Sequence, residues 1–158
     1  MTEKTKLKME TLISQFPDDY KDFFRNLIEY TISLGYNLRF NSKITSADFI
    51  KSKHGKTIMR IGAYGDLPAL CIRFDGLPVC SGIFQEAAIY SKEHGFCKQC
   101  NRCDGSKGIK YKLSDGSVIV GSCQSIRDIP TYIAEDFSLI KETLKIQDEY
   151  LIKLYAKS

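Results

Sequence analysis

Thr57-Ile58-Met59-Arg60-Ile61-Gly62-Ala63-Tyr64-Gly65-Asp66-Leu67-Pro68-Ala69-Leu70-Cys71-Ile72-Arg73-Phe74 is the most strand-like stretch of the chain. Two runs rich in apolar and β-branched residues, 57–63 and 69–74, flank the segment 64–68, whose Gly, Asp and Pro mark a turn. The second run is the more apolar, which predicts an interior strand of an antiparallel sheet, closed by Asp75-Gly76. Upstream, Tyr36-Asn37-Leu38-Arg39-Phe40 alternates, residues 47–51 are extended, and Ser52-Lys53-His54-Gly55-Lys56 reads as a hairpin turn.

Helical spacing takes over further out. Leu7, Met9, Leu12, Ile13 and Phe16 suggest a short amphipathic helix over residues 3–16, broken by Pro17-Asp18-Asp19. Tyr20, Phe23, Phe24, Leu27, Thr31 and Leu34 predict a second helix, stopped by Gly35. Downstream, Ser81 can cap a helix over 82–93, with Ile83, Phe84, Ala87 and Tyr90 facing the core and Gly95 ending it. Residues 109–113 and 118–121 pair around Ser114-Asp115-Gly116-Ser117. Asp128-Ile129-Pro130 offers a helix start, with proline tolerated in the first turn. Ile133, Phe137, Ile140, Leu144, Leu151 and Leu154 then trace one face, broken at Gln147, and Glu135-Asp136 supplies a second acidic first turn. With no βαβ rhythm, the expected class is α+β: an antiparallel sheet covered by helices, with a four-cysteine metal knuckle and hairpin and a long C-terminal helix.

Size and composition set bounds. The chain of 158 residues is 43% hydrophobic and 27% charged, which predicts one globular domain over 1–158 with a proper core of its own. The basic amino terminus has no apolar core behind it, and no run reaches the roughly 18 apolar residues of a membrane span. The expectation is a cytoplasmic protein with no membrane partner, whose thiols stay reduced. The net charge of +4 comes from scattered lysines with small concentrations at Lys4/Lys6/Lys8 and Lys51/Lys53/Lys56. Nucleic-acid binding through such groups stays open as a minor alternative.

The specific chemistry lies in Cys97-Lys98-Gln99-Cys100-Asn101-Arg102-Cys103, followed by Cys123 beyond the late hairpin. A Cys-x2-Cys turn points two sulfurs inward, and a returning hairpin brings back a distant ligand. Cys97, Cys100, Cys103 and Cys123 are therefore the expected metal ligands, within a subregion of about 95–125. Structural zinc is the first expectation. A [4Fe–4S] cluster is the alternative, since it uses similar spacing. Lys98, Arg102 and Lys107 offset the charge of a tetrathiolate, and His94 reads first as a polar residue in the last helical turn, with a substitute ligand as the alternative. Four thiolates leave no open coordination position, so catalysis at the metal is not expected. No phosphate-binding loop, serine elbow or His-Glu-x2-His is present, and the chain reads as a binding or regulatory module more than as an enzyme.

A ligand cleft can be drawn from Arg60, Tyr64 and Asp66, with Cys80 at the start of a helix as a further candidate. A cleft between the sheet and the long last helix is the expected place for a small ligand or a protein partner. Cys71 reads as core and His54 as an exposed turn residue. The wide apolar face of the last helix permits a homodimer.

Two resemblances accompany these readings. The strands Met59-Arg60-Ile61-Gly62 and Leu70-Cys71-Ile72-Arg73-Phe74, the helix, the Cys97-x2-Cys100-x2-Cys103 run, the Tyr-containing hairpin and the Asp-Ile-Pro segment together resemble a group of small bacterial α+β proteins with no assigned activity. The resemblance spans about residues 34–150 and implies a fold and a metal only. Tyr64-Gly65-Asp66-Leu67-Pro68-Ala69 resembles, with one extra residue, a Tyr-Gly-x-Pro-Ala stretch of frataxin-like bacterial domains, and implies no function.

Overall fold

In the computed structural model the alternating residues around 57–74 become two long neighbouring strands, and the structure describes residues 1–64, 67–94, 108–121 and 126–155. The elements are α1 (Glu3–Ile13), α2 (Asp18–Ser33), β1 (Asn37–Phe40), β2 (Ser46–Lys51), β3 (Lys56–Tyr64), β4 (Leu67–Arg73), α3 (Ile83–His94), β5 (Lys110–Lys112), β6 (Val118–Val120), β7 (Ile126–Asp128), a 3₁₀ turn (Ala134–Asp136) and α4 (Phe137–Tyr155). Five strands form one sheet in the order β1-β2-β3-β4-β7, and β5 and β6 form a separate hairpin. The pairings between these strands are all antiparallel, and a single parallel bridge outside them joins Cys80 to Leu113 among the described residues.

Period-two alternation decides the faces. Ala47, Ile61 and Leu70 line up across three strands, and Phe49, Met59 and Ile72 form the next row. All six are buried and join one apolar cluster with Leu12, Phe24, Leu27 and Ile28 from the first two helices and Ile140 and Leu144 from α4. Between Met59 and Thr57, β3 carries one residue more than β2, so Ile58 is a bulge. Ile58 and its neighbour Met59 both have no exposed surface, a departure from alternation that a bulge allows.

Several details depart from the sequence reading. β4 begins at Leu67, so Pro68 lies inside a strand. The Leu70 carbonyl accepts from the Ile129 N–H. The Pro68 carbonyl, two residues earlier and on the same side, accepts from the Tyr132 hydroxyl. The N–H that proline lacks thus faces away from β3, where β7 does not reach, the position in which a strand tolerates proline. α1 ends at Ile13 instead of residue 16.

The expected helix start at Asp128-Ile129-Pro130 is overturned. Residues 126–128 pair with β4 as β7, and the helical structure begins at the acidic turn Ala134–Asp136. Here the Asp136 carboxylate accepts from the Ile133 N–H at 2.9 Å, so Ile133 caps the turn and is 62% exposed instead of facing the core. Leu154 and Tyr90 are also exposed. Tyr90 stacks on His94, ring centroids 4.3 Å apart, on the outside of α3. No helix among the described residues is long and apolar enough to cross a membrane.

Candidate functional site

Strand register assembles a row that no single segment of sequence displays. Arg39, Asp48, Arg60, Cys71 and Asp128 are successive partners across all five strands. Their side chains alternate with the buried ones and so share the outer face. Arg60 clasps Asp48 with two hydrogen bonds, Nε to Oδ1 at 2.6 Å and Nη2 to Oδ2 at 3.2 Å. This fork geometry fixes the guanidinium as well as pairing it. Cys71 is an outer-face residue, not a core residue as the sequence suggests, and its thiol donates to Asp128 Oδ1 at 3.0 Å. Burial, with the Asp128 carboxylate second, pushes that thiol well above the usual range. Cys71 is therefore a protonated donor and a poor nucleophile.

Beside this row lies a hollow of about 480 Å³ walled by Arg39, Asn41, Asp48, Arg60 and Tyr64, among others. Its rim is the turn from β1 to β2. Asn41 Oδ1 accepts from the N–H groups of Thr45 and Ser46 at 2.8 and 3.2 Å, and Gln15 Nε2 from beyond the end of α1 holds the Ile44 carbonyl at 2.9 Å. Ile44 sits at φ 53°, a region that β-branched residues rarely occupy. Tyr64 folds its ring back over Gly62. A Cβ placed on Gly62 would lie 2.4, 2.8 and 3.1 Å from three ring atoms, so only glycine lets the ring lie against the strand.

Of the four cleft candidates, Arg60 and Tyr64 share this hollow. Asp66 lies outside the described residues. Cys80 belongs elsewhere: it is buried, its N–H donates to the Lys112 carbonyl at 2.7 Å, and burial pushes its thiol up to about 11. Arg39 and Asp48 were missed. Their outward positions are legible from the alternation, but their pairing needs the register.

The four candidate metal ligands, Cys97, Cys100, Cys103 and Cys123, lie outside the described residues. Among the described residues no group of three or more His, Cys, Asp or Glu side chains is placed to hold a metal. Their flanks are described. A Cβ on Gly121 would lie 3.1 Å from Ser91 Oγ, one helical turn before the end of α3 at His94. The Gly121 N–H donates to the Ile109 carbonyl at 2.9 Å. The chain thus leaves α3, enters β5 and leaves β6 around one junction. Ser91 Oγ is buried there without a hydrogen-bond partner among the described residues.

Beside the apolar contacts of Ile140 and Leu144, polar side chains also tie the sheet to α4. Lys51 Nζ meets both oxygens of Asp148 at 2.7 and 2.9 Å, and Tyr36 donates its hydroxyl hydrogen to Asp148 Oδ1 at 2.9 Å. Gly35, at φ +88° beyond the end of α2, turns the chain so that Tyr36 reaches this point. Burial first, then the Asp148 carboxylate, hold the Tyr36 phenol far above its ordinary range. A second group adjoins: Arg73 forks onto Asp75 at 2.9 and 3.0 Å, and Gln147 bridges Asp75 and the Gly76 N–H at 2.8 and 2.7 Å.

His54 extends the first group and is half-buried rather than a free turn residue. Its Nδ1 accepts from the Lys56 N–H at 3.1 Å, so Nε2 carries the hydrogen and faces the Tyr36 oxygen at 3.4 Å. Burial, then the charges of Lys51, Arg73 and Lys56, lower its pKa from the ordinary 6.5, against the opposing pull of Asp148. A base whose folded pKa is depressed gives stability that is present above the unfolded pKa and lost as pH falls. The urea midpoint should therefore drop as pH descends from 6.5, more steeply than in His54→Gln. Parallel curves for the two proteins would contradict this role.

A second hollow, of about 460 Å³ and mostly apolar, lies where β4 extends past β7, with Tyr20, Leu67, Tyr132 and Ile133 among its walls. Compared with known proteins, the chain matches no family model, no curated protein and no solved structure.

Proposed function

We propose that this chain is a small-ligand-binding module in which a structural zinc on Cys97, Cys100, Cys103 and Cys123 clasps α3 to the late hairpin. The observation that carries the metal reading is the meeting of the flanks at Ser91, Ile109 and Gly121. Cys97 stands three residues past His94 and Cys123 two past Gly121. At about 3.3–3.6 Å per residue, both thiols can reach one cage. Four thiolates are the donor set that tetrahedral zinc prefers. They also fill its coordination sphere, so the metal organises the subregion and the ligand binds elsewhere.

The apolar cluster of sheet and helices is large and takes in Phe84 and Ala87 of α3 and Tyr111 and Leu113 beside the junction, so the metal would act as a local fastener on a core that already joins these elements. The test is thiol alkylation of the native protein with and without a strong chelator. The expected result is four thiols of the six that react only after chelation, while the far-ultraviolet spectrum of the sheet and helices persists. Free alkylation of those four in folded, metal-free protein would contradict the proposal.

A further inference from the structure

Resting on the reading of the chain as a ligand-binding module, and independent of the metal, we propose that the outer-face hollow binds a small planar aromatic carboxylate. Its ring lies on Tyr64 and its carboxylate on Arg39.

The argument begins with what is already used up. Asp48 is taken by the Arg60 fork, and Asn41 is spent on the backbone of its own turn. Arg39 is exposed and makes no ion pair among the described residues. The hollow thus offers one uncommitted guanidinium, which matches one carboxylate in bidentate fashion. The same hollow holds an aromatic plate. Tyr64 is pressed against Gly62 on one side and is 52% exposed, so a free face remains for stacking. Arg60, immobilised by Asp48, borders the plate and limits where a ring can settle.

The dimensions agree with a small molecule. The volume of about 480 Å³ falls in the range of ligand sites. Arg39 and Arg60 stand two strands apart, about 10 Å, a span that one or two fused rings bearing a carboxylate can bridge. A nucleic-acid strand calls for successive stacking rings along a cationic track. Among the described residues the hollow presents one plate and one guanidinium outside an ion pair, which favours the small acid.

The probes are 2-naphthoate and its uncharged amide, 2-naphthamide, titrated into the full-length protein by calorimetry and by amide chemical shifts. Saturable binding of the acid is expected, with the amide at least tenfold weaker. A charged hydrogen-bonded pair is worth about that factor or more. Arg39→Gln should weaken the acid about tenfold and leave the amide unchanged, whereas Tyr64→Leu should weaken both. Both side chains are exposed, so each variant should fold, and thermal melts check this. Absence of saturable acid binding, equal affinity for acid and amide, or an indifferent Arg39→Gln would each overturn the proposal. So would preferential binding of oligothymidylate that tightens with length and collapses with salt. None of these results alters the zinc content, so the metal reading stands or falls separately.

Discussion

Asp148→Ala is expected to destabilise the fold by about 3–5 kcal/mol, the cost of leaving one member of a buried ion pair without its partner. The aspartate and Lys51 side chains are only 10% and 15% exposed, so water cannot replace the lost carboxylate. Tyr36 loses its acceptor at the same stroke, and its buried hydroxyl becomes unsatisfied. The effect should be non-additive. Lys51→Met in the Asp148→Leu background should restore much of the loss, because an apolar pair of similar volume can replace a buried salt bridge. Urea unfolding of the single and double variants measures this. A loss below about 1 kcal/mol for Asp148→Ala would place the pair in the class of solvent-exposed salt bridges and remove the network from the account.

Phe24→Ala should cost a similar amount, about 3–5 kcal/mol, through lost burial and a cavity that its neighbours cannot fill. Phe24 has no exposed surface. Its ring contacts Phe16 and Phe23, centroids 4.8 and 5.3 Å away, and stands edge-on to Tyr132 at 6.0 Å. Tyr132 in turn stacks on Phe23 at 5.6 Å and ties β4 through its bond to the Pro68 carbonyl. Removing Phe24 should therefore lower the denaturant midpoint and also disturb the apolar hollow that Tyr20 and Tyr132 help to wall. A midpoint close to that of the parent protein would mean that this aromatic group repacks freely.

The order of elements was legible wherever one period dominated a long enough window. α2, with its acidic first turn and Gly35 stop, and the pair β3 and β4 are the clear cases. β7 was not legible, because three residues, Ile126-Arg127-Asp128, carry too little pattern, and Pro130 imitates a helix start. The break at Gln147 looked like a flaw in an apolar face. It marks the side chain that ties α4 to Asp75 and Gly76, a polar function that hydrophobic periodicity cannot encode.

Site residues followed the same division. Arg60 and Tyr64 were found from local sequence, since they stand four residues apart on one strand just before a turn. Arg39 and Asp48 join them only through cross-strand register. Asp148 meets Lys51 and Tyr36 across 97 and 112 residues of chain, a pairing that no spacing rule reaches. The cysteine run was the reverse case. Its spacing is legible by itself, and the fold adds the meeting of its flanks.

Metal analysis together with an absorption spectrum, on native untagged protein purified without oxygen, tests the zinc clasp most directly. The account predicts one zinc per chain and a colourless solution. Iron with broad visible absorption would replace zinc by a [4Fe–4S] cluster on the same cysteines, and folded protein without bound metal would contradict the clasp altogether.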